Sequence, residues 1–142
     1  MIKSRLPDFL IVGAAKSGTT SLYHYLKAHP SIYMPDIKEP CFFSSYSVPY
    51  ETFKKNIYPA NEKNRVRELD RYKKIFATSE QYKSCGEAST HYLFQFEVSI
   101  NNIKKIYNEQ YKQLKIIIIL RNPIKAAYSN FRMWAMHGYE KD

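Results

Sequence analysis

The stretch Phe9–Ser21, FLIVGAAKSGTTS, decides the fold. Phe9, Leu10, Ile11 and Val12 read as a buried strand of a parallel sheet. Gly13 permits a turn, Gly18 lets backbone approach a ligand, and Thr19–His29 carries helical spacing. A strand that passes through a glycine turn into a helix gathers the N–H groups around residues 16–20 into one concavity, where the helix dipole favours negative charge. Lys16 lies within that turn. The expected ligand is a phosphate.

The position of the lysine narrows the ligand. In the nucleoside triphosphate loop GxxxxGK[ST] the lysine follows the second glycine, whereas here that position is Thr19 and the lysine is residue 16. The Lys-Ser/Thr pair that serves a β/γ-phosphate and Mg²⁺ is missing. A metal-free nucleotide with fewer 5′-phosphates fits better, and no metal site is expected. A second junction of the same kind follows. Lys115–Leu120, KIIIIL, reads as a central parallel strand. Asn122 suits an N-cap and Pro123 the first helical position, so a helix is expected from Ile124 towards His137 with Ile124, Ala127, Tyr128, Phe131 and Ala135 as its core face. Arg121 at the strand end and Ser129 on the helix are placed to grip a second phosphate.

Three motifs carry a family resemblance. Gly13-x-x-Lys16-x-Gly18-Thr19-Thr20 resembles the 5′-phosphosulfate loop of the sulfotransferases, which use 3′-phosphoadenosine 5′-phosphosulfate (PAPS). RNPIKAAYS, from Arg121 to Ser129, resembles their 3′-phosphate motif. Lys38-Glu39-Pro40 followed by Phe42-Phe43 resembles the Lys-Glu-x-x-Phe-Phe segment of the carbohydrate and heparan-type members. The resemblance implies a P-loop three-layer α/β/α fold with a parallel sheet. Family domains are longer, so residues 1–142 look like the N-terminal portion of a single, incomplete sulfotransferase domain of bacterial type, with a C-terminal half to be supplied. The implied reaction moves a sulfuryl group from PAPS to an acceptor hydroxyl or amine, a carbohydrate among the candidates. Lys16 stabilises the bridging oxygen. Ser17, Gly18, Thr19, Thr20 and Ser21 hold the 5′-phosphate through hydroxyls and backbone amides, and Arg121 and Ser129 hold the 3′-phosphate. The resemblance makes Glu39 the general base, a role that suits a carboxylate desolvated by aromatic and proline neighbours; pairing with a lysine is its alternative. Phe42, Phe43 and Tyr46 read as loop residues able to stack on an acceptor ring.

A further strand is expected around Ser84–Glu87, with Ser89, Thr90 and His91 just past its end, where open α/β sheets place ligands. The family often carries a lysine after this glutamate; here the residue is Ala88. His91 is the second candidate base, as in the cytosolic small-molecule branch of the family. The segment SIYMPDIKEPCFF reads as extended or looping because of its prolines. Pro49–Tyr58 and Glu68–Thr78 read as short helices, the second with Leu69, Tyr72, Ile75 and Phe76 on one side, and Val98–Tyr111 as a crossover helix. Pro59–Arg67 reads as an exposed connection.

The 142 residues, 44% hydrophobic and 25% charged, suffice for one globular domain. The net charge of +9 suits polyanionic ligands, but the lysine pairs at 54–55, 73–74 and 104–105 read as solvated helix faces and not as a nucleic-acid stripe. Cys41 and Cys85 form no CxxC or metal pattern. With no stretch of transmembrane length and no anchor, a cytoplasmic protein is expected. The rival readings are a non-catalytic module that binds a 3′-phosphorylated nucleotide or a partner, a P-loop nucleotide kinase, and a nucleic-acid-binding protein.

Overall fold

The computed structural model describes residues 5–46, 48 and 63–138. Phe9–Gly13 forms β1, buried at every position. Alternate side chains leave its two faces: Leu10 and Val12 enter a cluster with Phe42, Phe43, Tyr72, Phe76, Tyr92 and Tyr107, while Phe9 and Ile11 enter another with Tyr23, Met34 and Ala88. A strand covered on both sides must be apolar throughout, which accounts for the FLIV run.

The chain continues through α1 (Thr19–Lys27), β2 (Ile32–Tyr33), α2 (Phe42–Ser45), α3 (Leu69–Lys74) and β3 (Ser84–Ala88). It then forms α4 (His91–Phe94), α5 (Phe96–Tyr107), β4 (Lys115–Ile118) and α6 (Pro123–Met136), with 3₁₀ turns at Ser79–Gln81 and Asn108–Gln113. The strands order as β2-β3-β1-β4, all parallel, with Phe9 opposite both Gly86 and Lys115. Gly86 is required by this pairing, because a Cβ there would sit 2.2 Å from the Phe9 ring. One cluster draws on α2 to α5 and the other on α1, so helices cover the β1–β3 part of the sheet on both faces. The expected α/β architecture with a parallel sheet is what the chain forms.

Several local expectations are corrected. The strand expected at Lys115–Leu120 forms over Lys115–Ile118 and is not a central one: among the described residues β4 ends the sheet order, and Ile116 and Ile118 are about half exposed. The α6 face expected to enter a core is open, with Ile124 78% and Phe131 53% exposed. Both segments have the apolar pattern of buried elements, and no described residue covers them. Phe42 and Phe43 belong to helix α2 and are fully buried, with Phe42 stacked on Tyr72 at 4.1 Å. They build core and cannot face an acceptor ring. In the expected exposed connection, Arg65 and Val66 are buried, and the Val66 amide donates to Pro40 O at 2.8 Å. The Glu68–Thr78 helix is shorter, with Tyr72 and Phe76 buried as its spacing predicts. The helix expected at Pro49–Tyr58 lies outside the described residues, as do 59–62.

Candidate functional site

The strand order places β1 between β3, reached by the crossover through α1 and β2, and β4, reached by the crossover through α5. Open α/β sheets bind ligands at the carboxyl ends of strands beside such a reversal. The β1–α1 loop, the end of β3 and the end of β4 all meet there.

The loop is held open to solvent by its backbone. Lys16 (φ 61°) and Gly18 (φ 98°) are left-handed, and Gly18, the N-cap of α1, makes no side-chain cap; the first turn contains no acidic residue. The Ser17 amide donates to Ala14 O at 3.3 Å within the loop, and that of Leu22 to Gly18 O at 3.1 Å. The first-turn amides of Thr19, Thr20 and Ser21 have no intrahelical acceptor and remain for a ligand. Ser17 therefore contributes less through its amide than the sequence implied. The Thr19 side chain is buried, while Thr20 and Ser21 are exposed.

The loop is fastened to β4, since Ala14 N donates to Ile119 O and Ile119 N to Gly13 O, each at 2.8 Å. Arg121 follows, its Nη1 donating to Lys16 O at 3.2 Å, and the Lys16 ammonium reaches Met133 Sδ at 3.6 Å. Asn122 caps α6 as expected, its Oδ1 accepting from Lys125 N at 3.2 Å. Lys16, Arg121 and Ser129, far apart in sequence, thus line one cleft of about 480 Å³. Lys125 and Arg132 add two further cations, and among the described residues no carboxylate lines it. The sequence reading missed Lys125, Arg132 and Met133. Their signal was their spacing of four, three and four residues from Ser129, which places them on its face of the helix.

Glu39 lies at the end of β3. Its amide donates to Ala88 O at 3.0 Å; its carboxylate accepts from the Thr90 amide at 2.8 Å and from Thr90 Oγ1 at 3.3 Å. Lys38 Nζ pairs with it at 3.0 Å, so the lysine contact and a site at the sheet edge coexist. Glu39 (φ 59°) and Cys41 (φ 50°) are both left-handed around Pro40. Such residues cost about 1–3 kcal/mol each and persist where surrounding bonds fix them. His91 opens α4 and is half-buried, with Nδ1 buried and, among the described residues, without a hydrogen-bond partner. Burial, then the charge of Arg65, depresses its pKa against the opposing pull of Glu39, which favours the neutral ring. Cys41 and Cys85 are free and buried, and burial raises both thiols, Cys85 to about 11. Among the described residues no group of His, Cys, Asp and Glu has the form of a metal site, and no helix is long and apolar enough to cross a membrane.

Residues 6–142 match the sulfotransferase domain family. The chain is 28% identical over 126 residues to the membrane-associated sulfotransferase kil1 of Dictyostelium discoideum, covering 89% of this chain and 22% of that protein. It is 31% identical over 137 residues to the human bifunctional heparan sulfate N-deacetylase/N-sulfotransferase 2, covering 94% and 14%. The crystal structure of a sulfotransferase from Alicyclobacillus acidocaldarius superposes with a TM-score of 0.77 at 35% identity, covering 97% of this chain and 53% of that one. The chain belongs to the sulfotransferase domain family. It spans about half the length of this structural neighbour and less than a quarter of the two other relatives.

Proposed function

We propose that this chain is the donor-binding part of a sulfotransferase domain that transfers a sulfuryl group from PAPS to an acceptor hydroxyl or amine. The observation that carries the reading is the convergence of Lys16, Arg121 and Ser129 on one cleft beside the uncapped N-terminus of α1. The residues fit a nucleotide carrying two separate phosphate groups. Amides of Thr19 to Ser21 with the Thr20 hydroxyl take the 5′ side, and the forked Arg121 donors with Ser129 take the 3′-phosphate. When bound, PAPS supplies the activated sulfuryl group. Lys16 is placed to neutralise negative charge on the 5′ side, and Glu39, held at the neighbouring strand end, is the base that accepts the acceptor's proton. His91, whose ring is favoured neutral, is the second candidate.

The names of the relatives support a carbohydrate acceptor such as a heparan-type glycan, and the basic surface suits an acidic one. The completed domain covers the open faces of β4 and α6; their exposed apolar side chains and the 53% coverage of the structural neighbour support this. Calorimetry with 3′-phosphoadenosine 5′-phosphate and with ATP tests the donor reading. The 3′-phosphorylated nucleotide binds more tightly, and Lys16→Ala weakens it with the fold intact. A folded sample that binds ATP equally well or better overturns the reading.

A further inference from the structure

Glu87 is fully buried at the third position of the four buried residues of β3. Its two carboxylate oxygens have separate duties. Ser89 Oγ donates to Oε2 at 2.7 Å, and Ser89 Oγ itself accepts the Cys41 amide at 3.0 Å. The Tyr92 hydroxyl donates to Oε1, which also accepts from Tyr72 at 3.1 Å, and the Tyr92 hydroxyl accepts the Phe43 amide at 3.3 Å. Two hydroxyl relays therefore run from one carboxylate to two backbone amides of the segment that begins at Glu39. That segment contains the left-handed residues Glu39 and Cys41, which local preference does not hold in place.

We propose that Glu87 is a positioning residue that fixes the Glu39–Phe43 segment through Ser89 and Tyr92, and so sets where the Glu39 carboxylate stands at the sheet edge. This rests on Glu39 being the base. The Ser89 and Tyr92 hydroxyls, each already accepting a backbone amide, give their protons to Glu87, whereas the Tyr72 hydroxyl can donate or accept. A protonated Glu87 can turn its proton to Tyr72, but it offers Ser89 and Tyr92 a weaker acceptor than the carboxylate does. Burial raises this carboxyl to about 7 against the lowering effect of Tyr92, Ser89 and Tyr72, and the Glu39 charge raises it further. The other facing groups do not titrate in this range: Tyr72 from α3, Tyr92 from α4, Tyr107 from α5 and Cys41 are all shifted upward, chiefly by burial. Arg65 acts on Cys41 and His91. Ionisation of Glu87 near neutrality therefore tightens the segment.

Amide hydrogen exchange on the full chain tests this without requiring turnover, so a failure is distinguishable from failure of Glu39 as base. In the wild type, protection of the Cys41 and Phe43 amides relative to that of Ile11 rises as pH passes through about 7. Glu87→Gln lowers that relative protection about tenfold at pH 8, the scale of one hydrogen bond, and removes its pH dependence. Ser89→Ala releases Cys41 and leaves Phe43 protected, whereas Tyr92→Phe does the reverse; these keep the test open if Glu87→Gln does not fold. Unchanged protection at both amides, or an equal loss at Cys41, Phe43 and Ile11, overturns the proposal.

Discussion

The two sides of β1 differ in what surrounds them. Towards β3, Phe42, Phe43, Tyr72 and Tyr92 are buried, the Glu87 carboxylate is met by three hydroxyls, and the Glu39 carboxylate is held by the Thr90 amide and hydroxyl. Towards β4, Arg121 and Ser129, proposed to hold the 3′-phosphate, line a cleft beside apolar side chains that are open, with Leu120 77% and Ile124 78% exposed. The Glu39 side, where the base is proposed, is held by this chain's own core. The Arg121 side depends on the loop contacts between Gly13, Ala14 and Ile119 and on the Arg121 bond to Lys16 O.

The comparison can be tested in order of effect. Where turnover is measured, Glu39→Gln lowers kcat about 10²–10⁴-fold, the usual scale for loss of a general base, with donor affinity nearly unchanged; near-normal turnover together with an inactive His91→Ala enzyme moves the base role to His91. Phe43→Ala on the packed side costs about 3–5 kcal/mol in urea unfolding. On the open side Phe131→Ser costs no more than about 0.5 kcal/mol in this chain, the scale of a surface change. A large loss there reveals packing that the structure does not show.

The pH dependence of stability sharpens the packed side. Glu87 is raised from 4.5 to about 7 in the fold, so the native state binds its proton more tightly than the unfolded chain does. The resulting stability is fully present below about 4.5 and is lost as pH rises towards 7, on the order of 3 kcal/mol for this group alone. Glu87→Gln removes that component, which is read as the difference between urea curves at pH 5 and pH 8 for the two proteins. Ionisation near 7 thus lowers global stability while it tightens the Glu39 segment.

Much of this was legible in the residues. The glycine turn after an apolar run, and the Asn122-Pro123 cap after KIIIIL, are local signals, and the strand-to-helix junctions formed where they predict. Burial was less legible, because pattern shows which face is apolar and not what covers it. KIIIIL and the α6 stripe looked central and stand open, while Phe42 and Phe43, in a proline-rich segment that reads as loop, are the centre of an aromatic cluster. Glu87 was invisible as a hub. Its partners Ser89 and Tyr92 follow it closely in sequence, but Tyr72 comes from α3, and the amides that the relays reach, Cys41 and Phe43, are brought to it only by the fold.

The most direct measurement is calorimetric binding of 3′-phosphoadenosine 5′-phosphate and of adenosine 5′-phosphate to the wild type and to Arg121→Ala. If the cleft reads the 3′-phosphate, the substitution costs about 1.5–3 kcal/mol for the 3′-phosphorylated ligand, the scale of a charge-assisted hydrogen bond, and leaves adenosine 5′-phosphate nearly unaffected. Equal losses for the two ligands make Arg121 a structural residue and contradict the assignment of the cleft.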